Sequence, residues 1–171
     1  MEAENLKIIK FRKPHRLRGF DYSAAASYFI TFNTSDSKKI LSEITRSDMF
    51  HPPVVCLKPY GAITEKYILQ IEKYNPNVIL DNYVIMPDHV HLLISVIGDR
   101  ETVKSKDSTL ARIVRTLKTL VTKELGISIW QLDFYDVIAE TEEVFRKCDE
   151  YIDNNPSVWL DRAGAEPPPP K

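Results

Sequence analysis

The sequence predicts an α+β fold, an antiparallel sheet with helices that can lie on one face. Three observations predict it. Ser27–Asn33 (SYFITFN) is rich in aromatic and β-branched residues at strand length. Val78–Met86 and His89–Ile97 form two further β-rich runs, divided by Pro87-Asp88 as a hairpin turn divides its arms. Other stretches repeat apolar residues every three or four positions instead, which is the helical period. Hairpin-joined strands interleaved with such helices make an α+β sandwich.

Taken in order, Ser27–Asn33 is the first strand and Val54–Lys58 a weaker second, closed off by Pro59. From Ala62 to Tyr74, Ile63, Tyr67, Ile68 and Ile71 recur at helical spacing, and Asn75-Pro76 stops the helix. Val78–Met86 (VILDNYVIM) and His89–Ile97 (HVHLLISVI) are the hairpin arms. Residues 98–108 are a polar loop, after which Asp107 or Ser108 caps a second helix. Leu110, Ile113, Val114, Leu117 and Val121 form its apolar face, and Gly126 ends it. Trp130–Ile138 holds a short final strand. Thr141 caps a third helix that runs to about Asn155 and is ended by Pro156. The folded domain is expected over 19–160, between a basic arm (1–18) and a Pro-rich tail (161–171).

Composition excludes several classes. With 171 residues, 43% hydrophobic and 27% charged, the chain suits one soluble domain. Its two cysteines, Cys56 and Cys148, lie far apart and suggest neither a disulfide framework nor a metal knuckle. No secretory signal is expected from MEAENLKIIK, and the longest apolar-rich run, Leu92–Ile97, is too short to span a bilayer. A cytoplasmic protein is the expectation. The net charge of −1 speaks against a uniformly basic nucleic-acid binder, but Lys7, Lys10, Arg12, Lys13, Arg16 and Arg18 gather without an acid among them.

Two constellations could carry chemistry. His89 and His91 flank Val90 inside a predicted strand, so both imidazoles leave the same face and could grip one divalent cation. His-x-His also arises by chance, and by itself the pair is a weak signal. Tyr151 and Asn155 lie one helical turn apart, presenting a phenol and a carboxamide together at the margin of a stripe formed by Phe145, Cys148 and Ile152. The plain alternative is a boundary tyrosine and a residue closing its helix before Pro156.

The segment Tyr83-Val84-Ile85-Met86-Pro87-Asp88-His89-Val90-His91-Leu92-Leu93 resembles the HUH segment of single-tyrosine transposases of the insertion-sequence 200 type, and most closely the REP-associated tyrosine transposases. The resemblance extends through Gly19-Phe20-Asp21-Tyr22, Tyr28-Phe29-Ile30-Thr31 and Asn75-Pro76-Asn77-Val78. It continues in Trp130-Gln131, Phe134-Tyr135-Asp136 and Tyr151-Ile152 with Asn155-Pro156. It implies a ferredoxin-like or RRM-like sheet with helices mainly on one face. It also implies a metal-dependent tyrosine endonuclease and strand transferase that cleaves and rejoins single-stranded DNA through a 5′-phosphotyrosine. By that resemblance Tyr151 is the nucleophile and His89, His91 and Asn155 hold the divalent metal, Mg or Mn. The expected partner is single-stranded DNA with hairpin (palindromic) elements. The family occurs as dimers and as monomers, which leaves a homodimer open. Two positions depart from the pattern: Val137 and Glu140 stand where relatives often carry His and Arg.

Candidate DNA contacts are Arg112, Arg115 and Lys118 on the second helix, away from its apolar stripe, and Lys13, Arg16 and Arg18 in the basic arm. A solvated face and an unstructured tail are the ordinary readings of the same residues. Trp130 and Tyr135 read as core aromatics rather than base-stacking platforms. The competing function is a catalytically inactive hairpin DNA or RNA-binding module descended from such a transposase. A hydrolytic phosphodiesterase is a third, and it would normally need a second His motif.

Overall fold

A computed structural model describes residues 25–48, 50–98 and 106–162 of the chain. Lys13, Arg16 and Arg18 therefore lie outside the described residues, as do the side chains of Asp107 and Ser108 and the tail from residue 163 onward.

The strands are β1 (Ala25–Asn33), β2 (Ser42–Thr45), β3 (Val54–Leu57), β4 (Val78–Ile85), β5 (His89–Ile97) and β6 (Tyr135–Ala139). The helices are α1 (Pro59–Ile68), α2 (Ile71–Tyr74), α3 (Lys106–Leu125) and α4 (Glu142–Asp161). β4, β5, β1 and β6 form one antiparallel sheet in that spatial order, and β2 and β3 form a separate hairpin. Without that hairpin and α4, the chain traces the β-α-β-β-α-β path of ferredoxin-like folds. The Pro87-Asp88 turn joins β4 to β5 as the sequence predicts, with Ile85 opposite Val90 and the Met86 N–H donating to the His89 carbonyl at 2.8 Å.

Alternation along the two central strands sends side chains to two different cores. Tyr28, Ile30 and Phe32 of β1 join Val90, Leu92, Ile94 and Val96 of β5 on one face. There they bury Ile68 of α1, Ile71 of α2 and the α3 stripe Leu110, Ile113, Val114, Leu117 and Val121. Three helices thus share that face. The opposite face, with Phe29 and Leu93, packs against α4 through Phe145, Cys148, Ile152 and Trp159, and against Ile44 and Val55 of the small hairpin.

Gly126, at φ +72, ends α3 as expected, its N–H returning to the Thr122 carbonyl at 2.9 Å. Thr141 caps α4 by accepting a hydrogen bond from the Val144 N–H. Elsewhere proline misleads. Pro59 does not merely close a strand but occupies the first turn of α1, where its missing N–H costs nothing. The predicted 62–74 helix is two pieces, because a tight Gln70 N–H to Tyr67 carbonyl bond interrupts it while both Ile68 and Ile71 stay buried. Pro156 sits inside α4, which continues to Asp161. An interior proline costs about 3 kcal/mol, but stopping there would leave Trp159, 7% exposed, outside the core. Tyr135 was expected in the core and is 53% exposed instead, as befits the edge strand β6.

Candidate active site

His89 and His91 leave the α4 face of β5, and their ring centroids stand 4.6 Å apart. Both are almost completely buried. Register fixes their neighbours across β1: Asn33 lies opposite His89 and Thr31 opposite His91. The Nδ1 of His91 is hydrogen-bonded to Thr31 Oγ1 at 2.8 Å, and the Nδ1 of His89 to the Asp88 carboxylate at 2.6 Å. A ring nitrogen bound to a carboxylate keeps its proton, which leaves the lone pair on Nε2 as a metal ligand requires. The Asp88 backbone is held in turn, its carbonyl accepting from the Thr34 N–H at 2.8 Å and the Thr34 hydroxyl at 3.0 Å. Burial, reinforced by the neighbouring His89, pushes the His91 pKa well below the ordinary histidine range. That ring is neutral at pH 7.

Helix α4 lays Tyr151, Asn155 and Trp159 along this pair at one-turn intervals. The Tyr151 ring meets His91 edge-on at 5.3 Å and Phe29 at 5.5 Å, while Phe29 stacks on His91 at 5.0 Å. Trp159 stands 6.1 Å from His89. Asn155 is 1% exposed, and neither its amide oxygen nor its amide nitrogen has a hydrogen-bond partner among the described residues. Such a buried amide costs about 1–3 kcal/mol, which a bound ion or phosphate would recover. The helix is tied down from its other side. Asn82 Nδ2 donates to Asp149 at 2.7 Å and to Asp153 at 3.0 Å, beside a bulge that interrupts the β4–β5 register between Leu80 and Asn82.

The sequence reading missed four neighbours of this site. Asp88 precedes His89 in the chain, and a carboxylate adjoining a candidate ligand was a usable signal. Thr31 and Asn33 could be found only from strand register. Asn33 Oδ1 is a further buried acceptor without a partner among the described residues. Lys39 holds its ammonium 5.2 Å above the Trp159 ring, which brings an exposed cation to the rim. At the departures from the family pattern, Val137 lies opposite Phe29 in β6 and packs into the α4-side core, while Glu140 is exposed beyond the strand.

The residues expected to contact DNA separate on the structure. Arg115 and Lys118 line a groove between α3 and residues 128–134. Arg112 lines a different cleft beside α2, with its guanidinium 3.4 Å from Asn75 Oδ1. The Lys118 ammonium is engaged by the carbonyls of Gln131, Leu132 and Asp133 at 2.8, 3.3 and 2.8 Å, so it braces that segment.

A divalent ion fits the donor set in kind. Two imidazole nitrogens and one amide oxygen are donors that a first-row divalent ion accepts, with positions left for phosphate oxygens. The buried Asn155 amide, without a partner among the described residues, leaves its oxygen available as the third donor. Among the described residues, no group of three or more His, Cys, Asp and Glu could hold a metal, so this set depends on the carboxamide. No helix among the described residues is long and apolar enough to cross a membrane.

No family model matches the sequence. An uncharacterized protein of Haemophilus influenzae is 29% identical over 173 residues, covering 88% of this chain and 91% of its own. Among solved structures, a REP-associated tyrosine transposase bound to a REP hairpin superposes with a TM-score of 0.55 at 19% identity, over 78% of this chain and 67% of its own. A candidate transposase of Deinococcus radiodurans r1 overlaps at a TM-score of 0.40 and 19% identity, over 80% of this chain and 95% of its own, too loosely to compare element by element. The fold of this chain is thus that of a REP-associated tyrosine transposase, the family its sequence segments resemble.

Proposed function

We propose that the protein is a transposase-like DNA strand transferase that cuts and rejoins single-stranded DNA through Tyr151. The observation that carries this reading is the Tyr151 ring against His91, on the same sheet face as His89 and one turn from the orphaned Asn155 amide. In the proposed step the phenolic oxygen attacks the scissile phosphorus in line. The Tyr151 O–P bond forms, the P–O3′ bond breaks, the phenol gives up its proton and the departing 3′-oxygen gains one. The 5′-phosphotyrosine keeps the energy of the phosphodiester, so a free 3′-hydroxyl from another end can reverse the step without ATP or an activated water.

Phenol ionises near pH 10, and this site has to make the phenolate accessible at lower pH. His89 and His91, through Nε2, and Asn155, through its amide oxygen, would hold the cation. When bound, Mg or Mn withdraws charge from the phosphate and favours the phenolate. Asp88 and Thr31 hold the imidazoles in orientation. Phe29 and Trp159 wall the rings off from water, which strengthens every charge interaction inside. Hairpin DNA is the proposed partner, on the analogy of the REP hairpin bound by the similar transposase. The protein would act as a monomer or a homodimer in the cytoplasm.

One observation favours a second reading, a hairpin-binding module without catalysis. Val137 puts an apolar side chain opposite Phe29 where relatives often carry an imidazole. A single assay separates the two readings. Incubation with pooled single-stranded hairpins and Mn should yield a covalent protein–DNA species that disappears with chelator and in Tyr151→Phe. Tight hairpin binding with no such species, and with no affinity loss in His89→Ala, favours the binding module instead.

A further inference from the structure

Helix α4 meets the sheet along the stripe Phe145, Cys148, Ile152 and Trp159. At about 100° per residue, Tyr151 and Asn155 lie on one margin of that stripe, Asp149 and Asp153 on the other. The first margin adjoins the histidines and the second adjoins β4, where Asn82 waits. Burial of the stripe is non-directional and does not by itself fix the rotation of the helix about its own axis. Asn82 does. Its Oδ1 accepts from the Tyr83 N–H at 2.8 Å, which turns the amide nitrogen toward α4. The two Nδ2 hydrogens then go to Asp149 at 2.7 Å and Asp153 at 3.0 Å, carboxylates one helical turn apart. Asn82 and Asp149 are buried, and hydrogen bonds to carboxylates are stronger than neutral ones. The ion pair of Asp161 with Arg46, at 3.8 Å and with Asp161 exposed, is a weaker tie near the helix end.

Asn82 reaches this face only through the bulge in β4. Leu80 lies opposite Ile94 and joins the α3-side core; Asp81 is then inserted, and Asn82 lies opposite Leu93. Without the extra residue Asn82 would stand opposite Leu92 and point to the other face. A row of buried polar groups holds the bulge. Ser95 Oγ donates to the Asp81 carboxylate at 2.6 Å and, its proton so used, accepts from Ser27 Oγ at 2.8 Å across the β1–β5 pair. All three residues are buried on the α4 side of the sheet, where an apolar core alone has no use for them.

We propose that Asn82 is a positioning residue for strand transfer: by bonding Asp149 and Asp153 it fixes the rotation of α4 and so aims the Tyr151 phenol at the phosphate beside the histidines. The inference rests on the transferase reading above and adds to it the contact that sets the line of attack. Side-chain tips ride about 5–6 Å from a helix axis, so a turn of about 10° displaces the phenol oxygen by about 1 Å. A misplacement of that size costs about 10²-fold in rate.

The test compares the full-length parental chain with Asn82→Ala in three readouts. These are hairpin DNA affinity, the single-turnover rate of covalent adduct with Mn, and the NMR signal of Tyr151 in protein carrying isotope-labelled tyrosine. That signal is identified by its loss in Tyr151→Phe, and the edge contacts with His91 at 5.3 Å and Phe29 at 5.5 Å make it sensitive to ring orientation. Expected for Asn82→Ala are a shifted Tyr151 signal and an adduct rate lowered roughly 10–100-fold, at nearly parental DNA affinity. Asn82→Asp/Asp149→Asn/Asp153→Asn reverses donor and acceptor while keeping both hydrogen bonds, and should restore signal and rate. Asp153 is only half-buried, so Asp153→Ala folds even if Asn82→Ala does not, and it should show the same changes in smaller measure. A parental signal and rate in the folded alanine variants, a rate that falls only through lost DNA affinity, or a reversed variant that folds yet stays slow overturns the assignment and leaves the transferase reading standing. A Tyr151 signal that shifts in Asn82→Ala and returns in the reversed variant, with no adduct from any protein, overturns the transferase reading and keeps Asn82 as the residue that orients the tyrosine.

Discussion

The two faces of the sheet divide the work of this protein. Toward α3 the central strands present Tyr28, Ile30, Phe32, Val90, Leu92 and Ile94, all buried and all serving the core. Toward α4 the same strands present Thr31, His89, His91 and Ser95, also buried but polar, and α4 answers with Asn155 and Asp149. A core with no polar task would not bury these groups at the cost that burial imposes. The difference teaches that the second face bears a cost in stability that the first does not, since it buries polar groups, Asn155 among them without a partner among the described residues.

Substitutions can break or sharpen that contrast. The largest effect is expected from His89→Ala/His91→Ala, which should reduce covalent adduct by about 10³ or more while circular dichroism stays native. Next comes Leu92→Ala on the opposite face of the same strand. It should cost about 2–5 kcal/mol in denaturant unfolding and leave the adduct rate per folded molecule nearly unchanged. Asp88→Asn should weaken Mn binding about 10–100-fold, measured by calorimetry, because the amide no longer fixes His89 in its ligand tautomer. The smallest effect, and the most telling in sign, is Asn155→Leu. Removing an orphaned amide should raise stability by about 1 kcal/mol while adduct formation falls. A loss of stability there would mean that the amide is already satisfied without a ligand.

What could be read from the sequence was local. The β5 alternation, the hairpin turn at Pro87-Asp88, the α3 stripe and the Thr141 cap each depend on residues a few positions apart, and the structure has them where they were expected. β2 was missed because SEIT offers only one large apolar residue, Ile44, in its four positions, whereas the equally short β3 offers three in VVCL. Proline was over-read as a terminator at Pro156, where Trp159 pulls the helix onward into the core. The histidines and the tyrosine could be named in advance, and their juxtaposition was expected from the family resemblance alone; local spacing could not give it, because it depends on α4 crossing the sheet face opposite the other helices. Thr31 and Asn33 depended likewise on register, and Lys39 on the fold of the segment that leads into the small hairpin.

The central claim is that the α4 face carries a nucleophile. The most direct measurement is peptide mapping, by mass spectrometry, of the protein after incubation with Mn and single-stranded hairpin DNA. A nucleotide attached to Tyr151 through its 5′-phosphate, absent when chelator is present, is the expected result. DNA that binds without any attachment, or an attachment at a different residue, would contradict it.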